Sequence, residues 1–127
     1  MLDRKDKLPG VAEDGLDACL LLHVLDEPGA GNACHKYQVR RWEKDQDDVE
    51  LLNVQFQNGP VRENGVNGVS NEALLKIVAH RLQGFQSGDF RCRENALALT
   101  KIEEALMWLE SRTKGRMARG VEGTNAV

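Results

Sequence analysis

The chain has 127 residues, 41% of them apolar, which suffices for one compact core and leaves two independent domains too small to bury much. A formal net charge of −3 argues against a protein that coats DNA or RNA, because phosphate contacts call for a basic surplus. Cys19, Cys34 and Cys92 stand at wide, unequal spacings, so they build neither a disulfide framework nor paired CxxC metal ligands, and a reducing compartment is their natural setting.

The basic start at Arg4, Lys5 and Lys7 is interrupted by Asp3 and Asp6 and runs into Pro9, Glu13 and Asp14, so no clean apolar segment follows it as a signal peptide requires. The longest early apolar run, Ala18 to Leu22, ends at His23, far short of the roughly 20 residues that cross a bilayer. Leu20 to Leu25 fits a buried strand or a short helix, and periodicity does not separate the two at this length. PGAGN at 28–32 breaks any regular element, which marks residues 1–30 as an N-terminal extension before a single domain over 31–127.

HKYQVRRWE at 35–43 alternates, with Tyr37, Val39 and Arg41 on one face and Gln38, Arg40 and Trp42 on the other. After the polar turn KDQDD, VELLNVQFQ places Leu52, Val54 and Phe56 on a face expected to be buried, and the two runs form an antiparallel hairpin. NGPVRENGVNGV follows, with room for a further short strand around Val61, so the sheet is expected within about 34–69. Ser70 is a good N-cap, and Leu74, Leu75, Val78, Leu82 and Phe85 then recur on one face of a helix over about 71–86. A second helix over about 92–117 carries Cys92, Ala96, Leu99, Ile102, Leu106 and Leu109 at alternating three- and four-residue steps, the spacing of a coiled-coil-like seam. Its length, roughly 37 Å at 1.5 Å per residue, overhangs a small domain and points to packing on a second copy as well as on the first helix. The fold class is therefore α+β: a small antiparallel β-sheet followed by a two-helix hairpin, with the long C-terminal helix at an oligomer interface.

Catalytic patterns are lacking. His23, His35 and His80 fall on separate elements, and neither an HExxH nor a Gly-x-Ser-x-Gly string occurs. Glu103 and Glu104 point about 100° apart on a helix, which suits a solvated or ion-paired face with Lys101 nearby. The glycine loop NGPVRENGVNG offers backbone amides to a phosphate but lacks the Lys-Ser/Thr ending of a P-loop, and a structural turn is favoured. Binding signals lie further on. Arg112, Lys114, Arg116 and Arg119 crowd the end of the second helix. Cations there stabilise the helix dipole by roughly 0.3 to 1 kcal/mol each, and four exceed that need. Arg112 and Arg116, four apart, suit bidentate contacts to neighbouring phosphates. Phe85 and Phe90 flank the inter-helix loop, where aromatic faces can stack on a base, with core packing as the alternative. Asn95 is a poor helix former among good ones, and Trp108 lies off the main seam, as a subunit contact does.

FQNGPVRENGVNGV, LQGFQSGDFRCRENALALTKIEEALMWL and RTKGRMARGVEG together resemble the phage Thoeris anti-defence nucleotide sponges, whose helix hairpin is shared with phage anti-CBASS sponges. The likeness covers about residues 29–127. It implies a non-enzymatic phage protein of the host cytoplasm, without cofactor or metal, that sequesters host immune signals, chiefly glycocyclic ADP-ribose. It also implies a homodimer or a hexamer built as a trimer of dimers, with ligand between protomers and, in some members, cyclic di- or trinucleotides at separate sites. Neither DNA, RNA nor a membrane is an implied partner. Carried onto this chain, the resemblance gives Phe85 an adenine to stack on, Asn95 a hydrogen bond to the ligand, and Arg112 and Arg116 its diphosphate, with Arg62 as a further pocket member. Gly115, inside the arginine segment, costs about 1 kcal/mol against alanine in a helix and threatens to end it before Arg116. The contrasting interpretation is an oligomeric structural or adaptor protein that uses the hairpin for protein contacts.

Overall fold

A computed structural model of the chain describes residues 15–125, so the charged start from Asp3 to Asp14 lies outside the described residues. The elements run β1 (Leu20–Val24), β2 (Lys36–Arg41), β3 (Val49–Gln55), α1 (Val61–Asn64), α2 (Asn71–Gln86) and α3 (Arg93–Ala118), with short 3-10 turns at Leu16–Cys19 and Ala30–Asn32. This is the expected α+β architecture, a three-stranded antiparallel sheet followed by helices. Where composition pointed to one domain, the chain divides into two compact units between Gly68 and Val69.

In the first unit, the alternatives left open at 20–25 resolve to a strand. Leu20 to Val24 pairs antiparallel with β2, because β2 would otherwise leave one row of backbone groups without partners. Leu22, Val39 and Leu52 form one cross-strand row and Val24, Tyr37 and Val54 the next, while His23, Gln38 and Asn53 form a polar row on the opposite face. The face expected to be buried is covered unevenly: Val54 and Phe56 are half-buried but Leu52 is exposed. The register shifts at Val39/Arg40, so that Arg40 lies opposite Glu50 and Leu51 is left unpaired. Arg40 uses that register to donate to Asp48 at 2.8 Å. Asp26 settles the chain before β2 by accepting from the backbone amides of His35 and Lys36 at 3.0 and 3.1 Å. Tyr37 meets Phe56 edge-on with ring centroids 5.6 Å apart, and burial, aided by the charges of Cys34 and Asp26, raises its hydroxyl above the usual tyrosine value.

The glycine loop after β3 is stitched by amide side chains. Asn67 accepts from the amide of Asn58 and donates to its carbonyl, and Gln57 accepts from the amide of Asn67 and donates to Gly59 and Gly65. The short strand expected near Val61 is instead the single helical turn α1, which follows Pro60 as its extended N-cap residue, and Pro60 has no amide donor for a strand ladder. Gly68 lies so close to Phe56 that a Cβ there would sit 2.4 Å from the Phe56 carbonyl carbon, so no other residue fits without moving backbone.

The second unit is the helix hairpin. Ser70 caps α2 by accepting from the Ala73 amide at 3.1 Å. The packed stripe of α2 runs through Leu75, Ala79 and Leu82, with Ala79 buried, while Val78 turns out to be exposed. A small residue at the centre lets the helices approach closely, and Leu99, Ile102, Leu106 and Leu109 of α3 are half-buried in that packing. An ion pair between Lys76 and Glu110 at 3.4 Å joins the two helices. Among the described residues Ala79 is the single buried apolar one, and Trp108, Met107, Leu97 and Ile77 stand exposed.

Replacing Gly68 by alanine is expected to lower stability by about 1 to 3 kcal/mol, the usual cost of forcing atoms into filled space. Urea unfolding of the variant against the parent chain measures it, and a change below a few tenths would contradict the contact.

Candidate functional site

The candidate residues fall into three places. Phe85 ends α2 and Asn95 opens α3, so the turn between the helices brings them to one end of the hairpin. The turn is ordered by its own bonds: Ser87 donates its hydroxyl to the Gly84 carbonyl, Cys92 donates its amide to the Gln86 side chain at 3.0 Å, and Cys92 sulfur caps α3 by accepting from the Asn95 amide. Phe85 and Phe90 lie with ring centroids 6.0 Å apart, and the Arg81 guanidinium sits 4.9 Å from the Phe85 centroid. Asn95 donates to the Phe90 carbonyl at 3.4 Å.

Arg112 and Arg116 sit near the other end of α3. The helix does not stop at Gly115 but runs to Ala118, because the packing on α2 and the closing turn outweigh the modest propensity cost of glycine. That turn is a Schellman motif: Gly120 takes a φ of 71°, its amide donates to Met117, and the Val121 amide donates to Arg116. The chain thereby doubles back along the helix, and Arg116 captures it. The Arg116 side chain donates to the Glu122 carboxylate at 3.2 Å and to the Val121 and Thr124 carbonyls at 3.0 Å each, and the residue is only 6% exposed. Gly120 was the legible signal for this return. Arg112 differs, since it is exposed and carries no ion pair among the described residues.

Arg62, on α1 of the first unit, is exposed at the tip of the stitched loop. The loop amides that a phosphate would need are largely committed internally: those of Asn58 and Asn67 to side chains, and those of Glu63, Asn64 and Gly65 to carbonyls of the same loop. Arg62 is thus held on a firm platform rather than beside an open nest of amides.

Cys34, His35 and Glu104 have structural partners. The Cys34 thiol donates to the Asp26 carbonyl and the His35 ring bonds the Ala30 carbonyl at 3.1 Å, contacts that tie both residues to the segment before β2. Glu104 pairs with Lys101 at 3.9 Å, whereas Glu103 lines an open groove of about 660 Å³ between α2 and α3 with Lys76, His80, Met107 and Lys114. No group of three or more metal-ligating side chains occurs among the described residues, and none of their helices is long and apolar enough to cross a membrane.

Some 17 residues of continuous helix separate Asn95 from Arg112, roughly 25 Å at 1.5 Å per residue. One small ligand therefore cannot touch both ends of one hairpin. Fold and site together define a helix-hairpin protein with an aromatic turn at one end and an exposed arginine near the other. The model of the Acb2/Tad1 hairpin domain matches residues 48–114, more than half of the chain, which belongs to that family. The match takes in Arg62, Phe85, Asn95 and Arg112 and stops just short of Arg116. The chain is also 60% identical over 76 residues to the protein Thoeris anti-defense 1 of Bacillus phage SBSphiJ7, across 60% of this chain and 54% of that relative. It thus spans about half the length of the curated relative it matches.

Because Arg116 ties down the returning tail, Arg116→Ala should lower stability by roughly 1.5 to 3 kcal/mol, the range for hydrogen bonds to charged groups. Thermal unfolding together with limited proteolysis of residues 119–125 tests this, and an unchanged melting temperature with a protected tail would refute it.

Proposed function

We propose that this protein is a phage anti-defence sponge that binds and sequesters a host cyclic-nucleotide immune signal without cleaving it. The preferred ligand is glycocyclic ADP-ribose, in its 1''-2' or 1''-3' form, and cyclic di- or trinucleotides are further candidates. The observation that carries this proposal is the separation of the aromatic turn, where α3 begins, from the arginines near the other end of α3, too far apart for one ligand in one chain. A second copy running antiparallel sets the turn of one hairpin beside the arginines of the other. Phe85 and Asn95 then hold the adenine while the partner supplies Arg112 to the diphosphate, through charge-assisted, bidentate hydrogen bonds.

The shortage of buried apolar surface supports such an assembly. Leu97, Lys101, Glu104 and Trp108 recur at four- and three-residue steps along an exposed stripe of α3, and Trp108 is 65% exposed. Expecting the Leu99 to Leu109 stripe to serve both neighbours is unnecessary, since α2 covers that stripe and the Trp108 stripe remains for a second copy. Burial between protomers also slows escape, because opening must precede release, and a sequestering protein needs slow release. Arg116 contributes to the diphosphate in this proposal only if its tail contacts rearrange, so Arg112 is the principal phosphate residue. Arg62 is a further contact from its loop. The family name and the relative's name support an anti-defence role in the host cytoplasm.

An adaptor built from the same exposed Leu97, Met107 and Trp108 is the competing interpretation, and it predicts no affinity for a small molecule. The deciding assay mixes purified protein with glycocyclic ADP-ribose, filters it, heats the retained protein and chromatographs what emerges. Disappearance from the filtrate and return of intact ligand is the expected outcome. Ligand that stays in the filtrate would refute the proposal, and a changed compound would mean an enzyme. Arg112→Ala should weaken binding roughly 10-fold or more by calorimetry, as loss of charge-assisted hydrogen bonds dictates. Trp108→Glu should lower the mass in light scattering and weaken ligand binding together; a variant that binds normally as a monomer would exclude the shared site.

A further inference from the structure

Phe90 is 73% exposed, yet its surroundings are fixed. An aromatic ring held in water at an ordered turn is an unused apolar face. Its ring meets Phe85 at 6.0 Å with an interplanar angle of 54°, too close and too tilted for a base to slide between them. The two rings instead form a corner, in which a flat heterocycle can lie on one ring and take the edge of the other. Arg81 lies over the Phe85 ring at 4.9 Å, so one face of Phe85 is already occupied by a cation and a ligand has to approach the ring from elsewhere.

Asn95 completes the corner. One N–H of its carboxamide donates to the Phe90 carbonyl at 3.4 Å. A carboxamide has two donor hydrogens and an acceptor oxygen, so one donor and the acceptor remain. That donor–acceptor pair is complementary to the N6 amine and N7 of adenine, the pairing through which asparagine reads that base. The bond to Phe90 thus sets the direction in which Asn95 presents its recognition edge.

We propose that Phe90 is a second base-contacting residue, which forms with Phe85 an aromatic corner for a purine whose amine edge is read by Asn95, while Arg81 acts as a positioning residue behind Phe85. The inference rests on the sequestration of an adenine-containing signal proposed above, and it adds a residue and a geometry to that site. An edge contact from Phe90 favours a wide, flat purine over a smaller heterocycle, which reaches only one of the two rings.

The test uses the full chain and calorimetry with glycocyclic ADP-ribose, with Phe85→Ala and Phe90→Leu measured beside the parent. Phe90→Leu keeps apolar bulk and removes the ring, and it should weaken binding at least 5-fold, with an unchanged melting temperature because the side chain is exposed. Phe90→Tyr should restore affinity to within about 2-fold, since stacking tolerates any flat aromatic face. Arg81→Leu should weaken binding while Arg81→Lys recovers most of it, a rescue that loss of packing alone would not give. If Phe90→Leu binds like the parent while Phe85→Ala loses affinity, the corner is refuted and the sponge proposal stands. If the parent itself does not bind, both fall.

Discussion

A continuous helix of 26 residues holds its two ends apart, and the candidate site is organised by that constraint. Hydrogen bonds along α3 fix a rise of about 1.5 Å per residue, so no side-chain rearrangement brings Asn95 to Arg112 within one chain. The aromatic turn and the arginines are each well formed where they stand. They become one site only if a second copy reverses the order. Oligomerisation is then part of recognition in the proposed function, because each protomer holds half of what the ligand touches.

The same constraint explains the uneven burial. Between α2 and α3, Ala79 packs closely and the Leu99, Ile102, Leu106 and Leu109 stripe is half-buried, which uses the most regular apolar stripe of α3 inside the chain. Leu97 and Trp108 lie on another stripe, with Lys101 and Glu104 ion-paired between them. A mixed apolar and charged stripe of this kind is poorly suited to water and well suited to a specific protein contact. In the first unit, the amide-stitched loop offers a different economy: Gln57, Asn58 and Asn67 satisfy backbone groups so completely that a glycine-rich segment becomes a firm support for Arg62.

Legibility followed the range of the interaction. The start of α2 was visible because Ser70 acts on an amide three residues away, and the β2–β3 hairpin was visible because alternation is local. Val78 was expected on the packed face of α2 and lies exposed, because periodicity allows a neighbouring meridian and the partner helix selects the one centred on Ala79. Residues 20–25 were open between strand and helix, since only the unpaired edge of β2, distant in sequence, favours a strand. Arg116 resembled Arg112 in spacing and charge. Its role in the tail depends on Gly120 reversing the chain, a consequence of backbone geometry rather than of the arginine itself.

The sequence by itself determined the β2–β3 pair, the existence of the helix hairpin, the arginine-rich end of α3 and the resemblance to a sponge family, because these rest on capping, periodicity and contiguous motifs. Tertiary structure decided which arginine is committed and which is exposed, which apolar stripe is covered, and that the aromatic turn joins Phe85, Phe90, Arg81 and Asn95 in one corner. Those outcomes depend on where a returning chain or a second helix lies in space, and residue spacing along one chain holds no record of distances across it.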